Sequence, residues 1–171
     1  MFIKGKIAAE RAAYCATNKN SDGFLKLSSQ MCWDAVVTCA FDSKGISEAK
    51  NPTLKSITSE SFSHFVSMDD PVISSREEMW KVPQGSFLGF FSLTDGKPKL
   101  IHGMLATGAG CAAGNKNGCI GLGSPVGWEI LDLANNLIWL PEMLSFNAVH
   151  KNAKGVQNIR QIRYRTLDKF L

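Results

Sequence analysis

Two residues of this chain could carry out nucleophilic chemistry together, a cysteine at a predicted helix start and a histidine on a predicted strand. Cys32 lies in SSQMCWDA and His102 lies in PKLIHGMLAT. Unpaired backbone N–H groups and the helix dipole at a helix N-terminus favour a thiolate. A neighbouring imidazole can take the thiol proton. This pattern predicts Cys32 as a nucleophile and His102 as its base, with the sulfur within about 4 Å of a ring nitrogen.

The remaining histidines and cysteines favour structural roles. His64 lies in a predicted helix and His150 in a polar tail, which leaves His102 as the candidate base. The five cysteines form an odd set without a Cys-x-x-Cys pair, so we expect reduced thiols, no disulfide framework and no metal site. No cofactor is expected.

A predicted hairpin supplies a third member for the site. If residues 108–110 form its turn, paired residue numbers sum to about 218, which places Asn115 and Asn117 opposite His102. An amide oxygen that accepts a hydrogen bond from one imidazole nitrogen would orient the ring, while the other nitrogen faces the thiol. Asp132 is a less local candidate for the same role.

Attack of a thiolate on an amide also requires donors for the developing oxyanion. The backbone N–H of Cys32, at the helix start, is the first candidate. The side chain of Gln30, two residues earlier, is the second. These residues together predict a cysteine-dependent amide hydrolase.

The first half of the chain predicts the helices that position Cys32. Apolar spacing predicts a helix over residues 2–17, followed by a polar turn over 18–23. Ser28 or Ser29 is expected to cap the helix of Cys32, and Gly45 is expected to end it.

Residues 47–80 predict short helices joined by loops. Phe65 and Val66 are expected on one helical face, and Ser74 with Glu77 is a candidate capping box.

The second half predicts an antiparallel sheet, and the whole chain predicts one α+β domain over residues 1–171. The predicted strands are SFLGFFSL, PKLIHGMLAT, CAAG, EILDLANNLIWL and QIRYRTL. The glycine-rich segment GCIGLGSPVGW lacks the Gly-Lys-Ser or Gly-Lys-Thr ending of a phosphate loop, so its glycines are expected in turns.

Charge and hydropathy limit the partners that we expect. The net charge of +4 is mild and gathers in the tail over 151–169, which indicates a solvated face or a surface for an acidic partner and not nucleic-acid binding. No run of about 18 apolar residues and no secretory signal is visible, so neither a membrane span nor a cleavable leader is expected.

The segments SSQMCWDA, VPQGSFLGFF and IHGMLATGAG resemble the papain-like superfamily of cysteine hydrolases over about residues 26–120. In the NlpC-type amidases of that superfamily another His stands near the position of Gly114, which argues against cell-wall chemistry. The pattern is more similar to secreted bacterial effectors and toxins: YopT- and AvrPphB-type proteases, the Pasteurella-type mitogenic toxin deamidase domain and TecA-type Rho GTPase deamidases. In several of these the third member follows the His by about fifteen residues, at Asn117 here, where the families often carry Asp.

This resemblance implies a papain-like fold and hydrolysis of an amide through a thioester. It favours a glutamine or asparagine deamidase acting on a host protein such as a small GTPase, ahead of a protease and then of a peptidoglycan amidase. It further implies synthesis in a bacterial cytoplasm without a cleavable signal and delivery to the host cytosol by a specialised secretion system. A binding domain without catalysis, in which Cys32 and His102 pack and the basic tail recognises a partner, remains a separate alternative.

Overall fold

The protein belongs to the α+β class, with N-terminal helices packed on an antiparallel sheet. The structure is a computed structural model, and it describes residues 3–43, 64–93, 96–148 and 158–167. Within these ranges no helix combines the length and apolar character that crossing a membrane requires.

Three helices form the N-terminal part of the fold. The predicted first helix is confirmed, and the predicted polar turn after it is shorter than expected. The hydroxyl of Ser21 accepts a hydrogen bond from the N–H of Phe24 at 3.1 Å and so caps an unpredicted second helix. The bounds are α1 Ile3–Thr17, α2 Asp22–Ser28 and α3 Cys32–Asp42.

The start of α3 differs from the predicted cap. Ser28 ends α2 and Ser29 is the C-cap of that helix, so the prediction that either serine caps the helix of Cys32 is wrong. The N-cap of α3 is Met31, whose side chain makes no capping hydrogen bond. Cys32 is the first residue of α3, so its predicted place at a helix start is confirmed.

The middle of the chain is described from residue 64 onward. The predicted helix stop at Gly45 and most of the predicted short helices lie outside the described residues. His64–Val66 forms a turn, so the helical face predicted there is wrong. Helix α4 (Arg76–Lys81) begins one residue later than the predicted capping box, because the hydroxyl of Ser75 accepts from the N–H of Glu78.

Eight strands of the described chain form one antiparallel sheet in the order β5-β4-β3-β2-β8-β7-β6, with β1 paired to β8. The sheet is confirmed, and the glycine-rich segment forms turns as predicted. The strands are β1 Val72–Ile73, β2 Phe87–Ser92, β3 Lys99–Gly108, β4 Cys111–Asn115, β5 Trp128–Asp132, β6 Ile138–Leu140, β7 Ser145–Asn147 and β8 Ile159–Arg165.

The hairpin of β3 and β4 has the predicted register. Leu105 pairs with Ala113 and Ala106 pairs with Ala112, and the register shifts next to the turn. The strand predicted over EILDLANNLIWL is wrong in its middle, because a short helix, α5 (Leu133–Asn136), interrupts it. The carboxylate of Asp132 accepts from the N–H of Asn135 at 3.0 Å and caps that helix.

The sheet buries both of its faces. Helices α1 and α3 cover one face, where Val36 packs in a core with Leu105 and Trp128. The other face carries a second core that includes Phe90 and Met104. Because successive side chains of a strand point to opposite faces, even-numbered residues from 102 to 106 on β3 face away from α3.

The basic tail is largely bound to the fold where the structure describes it. The guanidinium of Arg165 bonds both carboxylate oxygens of the buried Asp70, with a closest distance of 2.8 Å. Arg163 donates to the carbonyl of Asp70. These arginines therefore stabilise β8 against the preceding loop, and the expectation of a simply solvated basic face is wrong for them. Lys169 and residues 151–157 lie outside the described chain.

Candidate active site

Hydrogen bonds from the sheet fix the loop that leads into Cys32. The side-chain amide of Asn115, on β4, donates to the carbonyls of Ser28 and Gln30. The backbone N–H of Trp128 donates to the hydroxyl of Ser28 at 3.0 Å. The connection between α2 and α3 is thus held on β4 and β5, and the first turn of α3 is held with it. This contact is the positioning role of Asn115, and its amide is not bonded to His102.

Cys32 is almost buried, with 5% of its surface exposed. Burial raises the pKa of its thiol above the ordinary value of 9.0, and three backbone N–H groups act in the opposite direction. They belong to Gly103, Trp33 and Cys32 itself. The charge of Lys116 also favours the thiolate. Because burial outweighs these effects, Cys32 is a protonated thiol at neutral pH in the resting protein.

His102 lies on β3 and is 1% exposed. Its ring packs against Phe90, the opposite residue on β2, with ring centroids 5.5 Å apart. Burial lowers the pKa of the imidazole from 6.5 to about 4, although its hydrogen bond with Asn117 favours the protonated form. The ring is therefore neutral at neutral pH, as a general base must be.

Asn117 begins a single 3-10 turn after β4, covering Asn117–Ile120, and is fully buried. Its Nδ2 donates to the carbonyl of Gly114 at 3.0 Å and to Oε1 of Glu129 at 3.1 Å. Both of these atoms are acceptors, so the amide must present Oδ1 to His102, where it lies 2.9 Å from Nε2. Nε2 of His102 therefore carries the proton, and Nδ1 retains the lone pair that can accept another.

The thiol and the imidazole approach strand β3 from different sides. Cys32 belongs to α3, on one face of the sheet, whereas His102 shares the opposite face with Met104. The backbone N–H of Gly103, which follows His102 on β3, is close enough to the Cys32 sulfur to favour its thiolate. Among the described residues the ring of His102 has one hydrogen-bond partner, Asn117, so no hydrogen bond joins the thiol to the ring, and the sulfur-to-nitrogen distance of about 4 Å stays a prediction.

The other predicted site residues are placed apart from the imidazole. Asp132 caps α5 and pairs with Cys111 across β4 and β5, so the structure does not bring it to His102. Gln30 lies two residues before the first residue of α3, and its Oε1 is buried without a hydrogen-bond partner in the described part of the chain. An oxyanion requires a hydrogen-bond donor. Gln30 would therefore serve only if its side-chain amide presented Nε2, and not Oε1, to the oxyanion.

Two functional candidates were absent from the sequence prediction. Lys116 adopts a left-handed backbone conformation (φ 58°) between β4 and the 3-10 turn, and its charge acts on Cys32. Glu129 lies on β5 opposite Gly114 and bonds Asn117. The composition of GNKNG is typical of a polar turn and could have indicated one at Lys116, but nothing in the sequence alone gave the pairing of β4 with β5.

The remaining cysteines and histidines differ from the central pair in burial and surroundings. Cys15 and Cys39 are buried in the helical core, and burial raises the pKa of each thiol. Cys119, on the 3-10 turn, has a pKa raised to about 11, first by burial and next by the nearby Cys32. His64 is exposed, and His150 lies outside the described residues. The described residues include no group of three or more side chains that could hold a metal ion.

A pocket of about 390 Å³ lies beside this site without reaching the thiol. Its wall includes Lys19 and Phe24 from the helical part, Val126 from the loop before β5, and Glu129. Glu129 is the link between the pocket and the asparagine that bonds His102.

No protein-family model and no curated protein sequence matches this chain.

Proposed function

We propose that this protein is a papain-like cysteine hydrolase in which Cys32 is the nucleophile, His102 the base and Asn117 the residue that orients His102. The observation that carries the proposal is the hydrogen bond of 2.9 Å between His102 Nε2 and Asn117 Oδ1, combined with the place of Cys32 at the first position of a helix, near the backbone of Gly103. It supports the proposal because it assigns the proton of the ring and leaves Nδ1 as the basic nitrogen.

The reaction begins with a protonated thiol and a neutral imidazole. When an amide carbonyl binds, the Cys32 sulfur attacks its carbon while the thiol proton passes to Nδ1 of His102. The donors proposed for the developing oxyanion are the N–H groups of Cys32 and Trp33 at the start of α3, which lie near the Cys32 sulfur in the resting protein. The sulfur must move to the ring for this proton transfer, because no hydrogen bond joins the thiol to His102 in the resting protein.

The second half of the reaction returns the groups to their starting state. The His102 imidazolium gives its proton to the departing nitrogen, which breaks the carbon–nitrogen bond and leaves an acyl thioester on Cys32. Water then attacks the thioester carbon while His102 takes a proton from it, and the carboxylic acid is released as the thiol is regenerated. A side-chain carboxamide yields ammonia, and a backbone amide yields two peptide fragments.

The preferred substrate is a glutamine or asparagine side chain of a host protein such as a small GTPase. This preference rests on the resemblance to secreted bacterial effectors, as does the proposed delivery from a bacterial cytoplasm to the host cytosol. Proteolysis is the alternative outcome of the same chemistry. Peptidoglycan hydrolysis ranks below both, because Gly114 stands where the amidase pattern places another His.

A binding domain without catalysis is the competing proposal, and the burial of Cys32 favours it. A protonated thiol that is 5% exposed and a buried imidazole whose pKa is about 4 are also what two packed core residues would show. In that case the partner would contact the surface of the protein, and neither residue would react.

Incubation with purified Rho-type GTPases distinguishes these proposals. Deamidation raises the intact mass of the GTPase by about one dalton per site and releases ammonia, whereas proteolysis gives fragments. We expect the mass increase with the wild-type protein and with Cys111→Ala, and none with Cys32→Ala. Fragments that depend on Cys32 would replace the deamidase with a protease. A product that persists in Cys32→Ala would end the cysteine-hydrolase proposal.

A further inference from the structure

The carboxylate of Glu129 continues the hydrogen-bonded chain that starts at His102. Its Oε1 accepts from Nδ2 of Asn117 at 3.1 Å and from the backbone N–H of Ser124 at 2.6 Å. Asn117 in turn bonds His102 through its other amide atom. One amide group therefore connects a buried imidazole with a carboxylate, and the order of the three residues is fixed by donor and acceptor types.

Two glycines leave the space that this chain requires. A Cβ at Gly114 would lie 2.6 Å from Oδ1 of Asn117, and a Cβ at Gly123 would lie 2.5 Å from Oε1 of Glu129. Gly123 also has a φ of +82°, which side chains rarely adopt. Any larger residue at either position would displace a member of the chain. The loop before β5 is thus shaped around the carboxylate of Glu129.

The reaction creates a positive charge where the protein offers little solvation. An imidazolium on His102 would be buried, and Asn117, its direct partner, is neutral. In the described part of the protein, the other charged or titratable side chains around the chain are Lys19 in the pocket wall beside Glu129, Cys32 on α3, Lys116 and Cys119 at the 3-10 turn, and Arg160 on β8. None of these five side chains is a carboxylate. Glu129 is the carboxylate that reaches the imidazole through a shared partner, and its charge polarises the Asn117 amide toward His102.

We propose that Glu129 is a positioning residue of the site. Its carboxylate fixes Asn117, and its negative charge acts through the Asn117 amide to stabilise the His102 imidazolium. The proposal rests on the proposed function, because the imidazolium matters only where His102 accepts a proton from the Cys32 thiol. In this arrangement an asparagine and a glutamate together do what a single carboxylate could do in direct contact with the ring.

The test measures the titration of His102 by NMR of its ring nitrogens and needs no substrate. The variant Glu129→Gln keeps an oxygen for Asn117 and Ser124 but removes the charge. We expect His102 to keep its Nε2–H tautomer and to titrate about 0.5 to 1 pH unit lower than in the wild type, since a unit charge across one amide is partly screened. In the wild-type sample, the side-chain ¹³C signal of Glu129 reports the ionisation of its carboxyl group over the same pH range. The control Glu142→Gln removes an exposed carboxylate of the same type and should leave the titration unchanged.

A wild-type titration curve in Glu129→Gln would overturn the proposal. Should that variant not fold, Gly123→Ala keeps the carboxylate but displaces it, and the same lowering is expected. The rate at which iodoacetamide modifies Cys32 at pH 7 is the second readout, and we expect it to fall severalfold in Glu129→Gln while the rate at Cys111 stays constant. If the wild type hydrolyses no amide, the proposed function fails, but the titration of His102 still decides whether Glu129 acts on the ring.

Discussion

Substitution of Gly114 by alanine tests the orientation of His102 without removing any side chain of the site. The new Cβ would lie 2.6 Å from Oδ1 of Asn117 and 2.9 Å from Cγ of Met104. Both contacts are too short to persist, and Asn117 is held by its other bonds in the small space above Gly114. We expect Oδ1 to retreat by about 0.5 to 1 Å, and a retreat away from His102 would lengthen the bond of 2.9 Å to about 3.4–3.9 Å, where it is weak or lost.

The expected losses follow from this displacement. The N–H of a buried imidazole left without an acceptor costs about 1–3 kcal/mol of stability, and overpacking against Met104 adds a similar amount. A ring free to change its tautomer and orientation should slow Cys32-dependent chemistry by about 10²-fold, because a misplacement of about 1 Å has that effect on catalysis. Stability is measured by urea unfolding, and reactivity by mass spectrometry of Cys32 labelled with iodoacetamide.

Gly118→Ala is the matched control for this substitution. Gly118 lies in the adjacent 3-10 turn, and a Cβ there would meet Cα of Pro125 at 3.5 Å, an ordinary contact. We expect a stability change within about 0.5 kcal/mol and unchanged reactivity of Cys32. Wild-type reactivity in a folded Gly114→Ala variant would refute the role assigned to Asn117, since its bond to His102 would then be unnecessary.

Two further predictions concern His102 and Asn115. Because the folded pKa of His102 is about 4 and its ordinary value is 6.5, the unfolded chain binds this proton first, so folding stability falls as pH drops from about 6.5 to about 4. The full difference between the two pKa values corresponds to about 3 kcal/mol of stability. In urea titrations between pH 7 and pH 4, His102→Gln should therefore lose about that much less stability than the wild type. Equal losses in the two proteins would contradict the lowered pKa of His102. Asn115→Ala should destabilise the protein by about 2 kcal/mol, because the two carbonyls before Cys32 lose their donor. The same variant should raise the rate of amide hydrogen exchange at the start of α3. An unaltered exchange rate there would contradict the positioning role of Asn115.

Sequence reasoning was most successful where the relevant contacts are local. The turn at residues 108–110 sets the register of β3 and β4, so simple arithmetic placed residues 115–117 near His102. It could not choose between Asn115 and Asn117, because two residues separated by one position share a face of a continuing strand, and the end of β4 at Asn115 and the left-handed Lys116 are what separate them. Asn115 points to the loop before α3, and Asn117 turns back over Gly114 after β4 has ended.

The remaining differences arise from contacts that local patterns do not contain. Helix α2 has only seven residues and includes a glycine, so its periodicity is too short to detect, and its C-terminal serines resembled a cap for α3. The pairing of Gly114 with Glu129 spans a glycine-rich loop of unpredictable path. The relative position of the thiol and the imidazole depends on where the pairing of β3 with β4 ends. This pairing ends at Leu105 on β3, and the N–H of Gly103, two residues earlier, lies near Cys32.

The coupling between Cys32 and His102 is the central claim, and cysteine-resolved labelling of the wild type and His102→Ala tests it most directly. Rates of iodoacetamide modification at pH 7 are measured by mass spectrometry, with Cys111, which is partly exposed and distant from His102 in the fold, as internal reference. If His102 is the base of Cys32, the variant modifies Cys32 at least about tenfold more slowly while the rate at Cys111 is unchanged. Equal rates at Cys32 in the two proteins would contradict the account.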